Sequence, residues 1–358
     1  MNVLIDARVL QHDKLSGVGM YTKHIIKALN NHTKSKLTLV TTGVRPKNSL
    51  QNYTCKVVHK RIPNKLLNAS ITLLQRPIFG SHIKKPFDIV FFPHVHFSII
   101  PKNTPSVLMI HDTTFLHHKE CYSLKRKLWH KAINIKKQIK QVTHIVCPSE
   151  QTKKDLIKFF NVKKDKITVI PHGVTYQKSD KKVNKQKYIL FIGTIEPRKN
   201  IEALVRAFTH SDLKNNGYKC IIVGAKGWKT KNLKKWINHK DVEYRGFVSE
   251  KEKVTLIQEA ATVVYPSFYE GFGFPILEAM SLGTPVITAA NSSIVEVAQN
   301  AAYYVNPYKI TDLIDAFNTL LVDQKMFDNL ATAGIKQAQK FTWQKSALAL
   351  DTVFTKIK

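Results

Sequence analysis

Short runs of β-branched and aliphatic residues alternate along the chain with segments whose apolar positions recur every three to four residues. That alternation predicts parallel sheets built from βαβ units. In the first half, runs near 2–7, 37–42, 55–59, 88–92, 106–110, 144–147 and 167–170 read as strands. Between the first two, MYTKHIIKALN sets Tyr21, Ile25, Ala28 and Leu29 at helical spacing. After the 144–147 run, Pro148-Ser149 reads as a strand exit and an N-cap, with TKKDLIKFF continuing as helix. Residues 171–187 are polar and Lys-rich without an apolar period, which marks an interdomain linker. A second series follows: strands at 188–193, 218–223, 242–245, 262–265 and 285–288, and helices at 200–209, 230–238, 249–259, 275–282 and 310–321. The closing segment FTWQKSALALDTVFTKIK carries Trp343, Ala347, Leu350 and Phe354 on one stripe, fit to close the second domain or to cross back to the first.

A chain of 358 residues exceeds what one core usually serves, so the pattern divides into domains at 1–175 and 176–341 with a terminal helix at 342–358. With 43% hydrophobic and 23% charged residues, the composition is that of a globular protein rather than a disordered or membrane-spanning one. The apolar runs at 89–92 and 107–110 have strand length. Cys55, Cys121, Cys147 and Cys220 form no CxxC pair, which argues against a zinc site or a disulfide framework. Asp6 and Arg8 interrupt the first apolar run, so no signal peptide is expected and a cytoplasmic location follows. Charge changes the picture most. Residues 1–175 hold 30 Lys and Arg against 8 Asp and Glu, about two-thirds of the net +31. An excess so placed implies a polyanionic neighbour: nucleic acid, an anionic membrane or a phosphate-bearing substrate.

The densest chemistry lies in YPSFYEGFGFPILEAMSLGTPVIT at 265–288. A strand delivers the chain to Glu270; Gly271-Phe272-Gly273-Phe274 forms a loop; Pro275 suits the first turn of a helix and Gly283 its end. Free N–H groups and the positive end of the helix dipole then face an anionic guest such as a diphosphate. Glu278 is expected in the first turn of that helix, able to accept two hydrogen bonds from a ribose diol, and Glu270 is suited to sugar hydroxyls. A second string, YILFIGTIEPRKNIEALVRAF at 188–208, sets Arg198 and Lys199 before a helix that begins near Asn200, at the sheet edge where open α/β folds bind ligands. Both cations suit phosphate oxygens, Arg as a planar fork and Lys as a point charge. In the first half, Gly17 and Gly19 lie between strand and helix, and HDTTFLHH at 111–118 follows a strand, so that His111 and Asp112 also fall at a sheet edge.

EGFGFPILEAM, GTIEPRKN and VIPHGV at 169–174 together resemble the retaining GT-B glycosyltransferases, in particular the mannosyltransferase-like glycosyl transferases group 1 of bacterial polysaccharide and glycolipid synthesis. The resemblance runs from residue 6 to the terminal helix. It implies an α/β fold of two Rossmann-like domains facing a central cleft, a C-terminal helix packed back on the N-terminal domain, a nucleotide-sugar donor on the second domain and a glycan or lipid-linked acceptor on the first. It further implies that Arg198 and Lys199 bind the diphosphate, Glu270 the transferred sugar and Glu278 the ribose. Gly271, Phe272, Gly273 and Phe274 would offer backbone contacts, Val248 would lie near the base, Gly17 and Gly19 near the donor phosphates, and His111 beside the transferred sugar. Many relatives carry a basic residue where this chain has Thr194, so the diphosphate should rest more heavily on Arg198 and Lys199. GDP-mannose is the donor the resemblance favours, with UDP- and dTDP-sugars next.

No convincing carboxylate nucleophile is legible, which points to front-face transfer with retention, and no Asp-x-Asp pair occurs, so neither metal nor cofactor is expected. SLKRKLWHKAINIKKQIKQ at 123–141 reads as one helix with Leu128, Ala132, Ile135 and Ile139 on a stripe; Lys125, Arg126, Lys127 and Lys131 lie around it. This helix and the mixed segment 65–85 suit docking at an anionic membrane, at the inner face of the plasma membrane. Alternatives remain: a sugar-nucleotide epimerase or phosphorylase of the same fold, or a basic nucleic-acid-binding protein, for which no recognition motif is present.

Overall fold

The computed structural model describes residues 1–12, 15–46, 50, 53–74, 87–178, 183–230, 233–237 and 239–358. Much of the segment at 65–85, the middle of the linker and parts of the 230–238 helix lie outside them. In chain order the elements are β1 (Asn2–Asp6), α1 (Gly17–His32), β2 (Lys36–Thr42), β3 (Lys56–Lys60), α2 (Asn64–Leu74), β4 (Ile89–Phe92), β5 (Ser106–Met109), α3 (Thr114–His117), α4 (Leu124–Ile133), α5 (Ile135–Gln141), β6 (His144–Cys147), α6 (Glu150–Phe160) and β7 (Ile167–Val169). The second series runs β8 (Gln186–Ile192), α7 (Ile201–His210), β9 (Lys219–Val223), α8 (Leu233–Ile237), β10 (Val242–Gly246), α9 (Glu250–Glu259), β11 (Ala260–Tyr265), α10 (Phe274–Ser281), β12 (Val286–Ala289), α11 (Ile294–Ala298), β13 (Tyr303–Val305), α12 (Ile310–Leu320), α13 (Gln324–Ala338) and α14 (Trp343–Ile357).

The chain forms two compact units: Met1–Thr113 with Leu124–Gly173 and Thr342–Lys358, and Thr114–Ser123 with Val174–Phe341. Unit 1 holds a seven-stranded sheet in the order β3-β2-β1-β4-β5-β6-β7, unit 2 a six-stranded one in the order β10-β9-β8-β11-β12-β13. All neighbours pair in parallel. Helices cover such sheets, so the central strands read as unbroken apolar runs; β4, β11 and β12 are buried along their whole length. Among the described residues no helix is long and apolar enough to cross a membrane.

The closing helix α14 belongs to unit 1 and buries Ser346, Ala347, Leu350, Val353 and Phe354. It packs along α1, sets Phe354 5.6 Å from Phe91 and donates from Ser346 Oγ to the Pro171 carbonyl at 2.6 Å.

Two expectations need correction. Residues 114–123, read as part of the first domain, pack with unit 2: the His117 ring stacks on Tyr269 at 4.7 Å, Tyr122 stacks on Trp228 at 5.6 Å, and Trp228 Nε1 donates to the Cys121 carbonyl at 2.7 Å. The single helix at 123–141 is two helices. Asn134 adopts φ 51° between them and caps α5 by accepting from Lys137 N through its side chain, a conformation that asparagine tolerates better than other non-glycine residues. The break shifts the apolar phase. Ile133, Ile135 and Ile139 are buried, whereas Leu128 is 58% exposed and Ala132 is exposed as well.

Candidate active site

Parallel pairing of β8 with β11, Leu190 opposite Val263, brings two distant stretches to one edge of the unit 2 sheet. β8 continues into a single turn at Pro197–Lys199, and β11 into the loop that carries Glu270. Arg198 Nη1 lies 2.7 Å from Glu270 Oε2, and Lys199 Nζ lies 2.6 Å from Glu270 Oε1. Glu196 closes the set, 2.6 Å from Arg198 Nη2, and Lys199 also donates to the Tyr265 hydroxyl. Arg198 Nη1 donates to the Tyr269 carbonyl at 2.8 Å, and the Arg198 carbonyl accepts from Phe268 N at 2.9 Å.

The expected pair of free cations is therefore a neutral cluster of two cations and two carboxylates, with Lys199, Glu196 and Glu270 each 6% exposed. Isolated charges buried so deeply would cost several kcal/mol each, which is why the carboxylates are there. Burial pushes the Glu270 carboxyl up, but Arg198 and then Lys199 override it and hold the pKa down at about 2. Burial and the neighbouring Arg198 lower the Lys199 ammonium against the opposing pull of Glu270. Glu196 and Tyr265 were missed in the sequence. The GTIEPRKN string contains Glu196, but nothing in the string says that its side chain turns back on Arg198.

The loop from Gly271 opens onto α10 through Gly273, whose φ of 95° falls where glycine costs least. Phe272 is buried against Phe274 and Phe341, so its side chain serves the core and only its backbone faces the loop. Glu278 lies in the second turn of α10, not the first, and its partner is Lys253 of α9 at 3.0 Å rather than the helix dipole. Burial pushes the Glu278 carboxyl up against the pull of Lys253. Val248 packs partly buried against the unit 2 core just before the Ser249 N-cap of α9. Thr194 is exposed at the end of β8. Beside it, Gly224 allows a close approach, since a Cβ there would lie 1.9 Å from the Gly193 carbonyl oxygen.

In unit 1, Gly17 and Gly19 are the first and third residues of α1, not a loop ahead of it, and nothing lies within 4 Å of a Cβ built on Gly17. His111 follows β5; one ring nitrogen meets the Pro93 carbonyl at 2.8 Å and the other meets His172 at 3.3 Å. Burial holds its pKa down at about 4, so the ring is neutral. The strand order reverses direction about β1, and at that switch point the sequence reading missed a cluster: Asp6 paired with Arg8 at 2.5 Å, and His94 and His96 with rings 5.4 Å apart. Lys125, Arg126, Lys127 and Lys131 are exposed on α4 beside Leu124 and Leu128.

Among the described residues one group could offer three metal ligands: His118 Nδ1, Glu120 Oε1 and Cys121 Sγ, within 4.8 Å of one another in unit 2. Burial, and then Glu120, push the Cys121 thiol up, away from the thiolate that binds metal.

Two parallel Rossmann-like sheets with a charged strip at the carboxyl edge of the second define the GT-B class of fold. The chain carries a Glycosyltransferase Family 4 domain over residues 15–178 and a Glycosyl transferases group 1 domain over residues 175–337, and belongs to the glycosyltransferases that join the two. It is 38% identical to O-antigen chain mannosyltransferase B of Escherichia coli over 165 residues, 44% of this chain and 43% of that one. With O-antigen chain mannosyltransferase RfbU of Salmonella typhimurium the identity is 29% over 248 residues, 64% and 68% of the two chains. The fold matches that of sucrose-phosphate synthase from Thermosynechococcus elongatus with a TM-score of 0.79 at 18% identity, over 99% of this chain and 98% of the other.

Proposed function

We propose that the protein transfers a hexose from a nucleoside-diphosphate sugar to a glycan or lipid-linked acceptor in cell-surface polysaccharide or glycolipid synthesis, with retention of anomeric configuration and without a metal. The observation that carries this reading is the strip Glu196-Arg198-Lys199-Glu270 next to the glycine loop that opens onto α10. Arg198 and the backbone N–H groups of that loop hold the diphosphate and stabilise the charge that grows on it as it leaves. Lys199, clamped between Glu270 and Tyr265, fixes the field. Glu270 orients both cations, and its backbone and loop meet the sugar. Glu278 takes the ribose hydroxyls and Val248 borders the base. GDP-mannose is the first choice of donor, because two relatives are named as mannosyltransferases.

Retention by front-face transfer is favoured because both oxygens of Glu270 are tied to cations, which leaves it unsuited to attack an anomeric carbon. On unit 1 the acceptor meets the switch-point groups, with His111 neutral beside them and held between the Pro93 carbonyl and His172. The basic α4, with Leu124 74% exposed among its cations, docks unit 1 to anionic lipid at the inner face of the plasma membrane.

The test is turnover with GDP-mannose, UDP-glucose and dTDP-glucose on extracted lipid-linked acceptors. Arg198→Ala is expected to lower kcat by about 100-fold, the scale of losing one transition-state donor, and to cost about 3 kcal/mol of stability because it leaves Glu196 and Glu270 buried with one cation, so turnover is measured well below the variant's melting temperature. Undiminished turnover in that variant contradicts the assignment, and activity lost with EDTA and restored by Mn²⁺ contradicts metal independence.

A further inference from the structure

Beside the charged strip, and sharing Glu196 with it, unit 2 holds a cavity of ≈ 560 Å³ at the carboxyl edge of its sheet. Its size falls within the ~300–1,000 Å³ usual for small-ligand sites. The wall is aromatic, with Trp236 of α8, Phe268 after β11 and Tyr308 before α12; the polar lining includes Glu196, and Glu202 and Arg206 of α7. Right-handed crossovers put α7 and α8 on the opposite face of the sheet from α9 and α10. The cavity is therefore not on the side that carries Glu278 and Lys253, the groups assigned to the nucleoside.

Tyr308 is 70% exposed, yet its ring stacks on Phe268 at 4.9 Å and 23°. One face is fixed and the other is offered to solvent. Such a face, with its negative quadrupole, attracts the C–H face of a pyranose, and a ring already held in place loses little entropy on contact. Glu202 and Arg206 stand one helical turn apart, and their planar groups match adjacent hydroxyls. Their charges offset each other, that of Glu196 is met by Arg198 at 2.6 Å, and Lys229, a further cation of the lining, donates to the Glu120 carbonyl. A cavity with rigid aromatic walls and planar polar groups suits a polyol with an apolar face. It also adjoins the transfer strip, because Phe268 N donates to the Arg198 carbonyl at 2.9 Å and Asn200 Nδ2 donates to the Pro307 carbonyl at 2.7 Å.

We propose that this cavity is a saccharide subsite that holds neutral hexose units of the acceptor glycan beside the point of transfer. The proposal rests on the transferase reading. Saturation-transfer NMR of the full chain with mannotriose, maltotriose and methyl mannoside tests it. At least one trisaccharide is expected to bind, nucleoside diphosphates to leave it bound, and Tyr308→Ala to weaken it about tenfold or more. Tyr308→Phe, which keeps the ring, retains binding. Glu278→Gln, on the other face of the sheet, also retains trisaccharide binding while losing nucleotide affinity, so failure of the donor site and failure of this subsite are separate results. No trisaccharide bound at about 10 mM, binding indifferent to Tyr308→Ala, or displacement by GDP or UDP would overturn the proposal.

Discussion

Arg198 divides one guanidinium among Glu196, Glu270 and the Tyr269 carbonyl, a geometry that only a planar fork can satisfy. Arg198→Lys is accordingly expected to lower kcat by about tenfold or more at nearly unchanged melting temperature; steady-state kinetics with equal kcat would refute the fork's importance. Glu270→Gln should act differently. It leaves Lys199 buried with half its compensation gone, so a stability loss of about 3 kcal/mol accompanies the loss of turnover, and denaturant melts will read it. The cations of this site were legible from the sequence as residue types next to a strand end. Their pairing was not, because Glu270 is 71 positions from Lys199 and only the β8–β11 register brings them together.

Elements with a clean apolar period, such as α7 and the buried strands, were read within a residue or two, whereas α1 begins at Gly17, three residues ahead of the periodic segment. α13 escaped. It buries Gly334, Gln337 and Ala338, so small and polar residues face the core; a Cβ on Gly334 would come within 3.2 Å of Met280 Cγ on α10, and that close approach replaces an apolar stripe. β13, with three residues, is too short to show a period. The α4–α5 break was hidden because its cause is one backbone angle at Asn134. Asn134→Ala is expected to destabilise by about 1–2 kcal/mol and Asn134→Gly by less, measured by urea unfolding; the reverse order would mean that the left-handed turn does not form. Glu278 was placed by its motif, but its dependence on Lys253 needed the packing of α9 on α10.

At the scale of the molecule, charge and burial pull against each other in unit 1. His94, His96 and His111 sit among buried polar groups, and burial holds their pKa values down at about 3, 4 and 4. The unfolded chain binds protons near pH 6.5 that the folded one refuses, so stability is full above that pH and falls as pH drops from about 6.5 towards 4. Melting temperatures across that range should decline steadily; a flat profile would mean that the rings are solvated. Glu270 adds loss only below about pH 4.5, where its carboxylate protonates in the unfolded chain. The proposed docking of α4 to anionic lipid is expected, with a net charge of +31, to depend on salt: flotation with anionic lipid should fall sharply between about 50 and 500 mM NaCl, and insensitivity would argue against electrostatic docking. The account as a whole depends on a diphosphate held by Arg198 and the amides that precede α10, with Lys199 fixing the field behind them. Calorimetric titration of GDP and UDP into the parent protein and Arg198→Ala tests it most directly: saturable binding of at least one nucleotide by the parent and a loss of about tenfold or more in the variant are predicted, and equal affinity in both, or no binding by either, would contradict it.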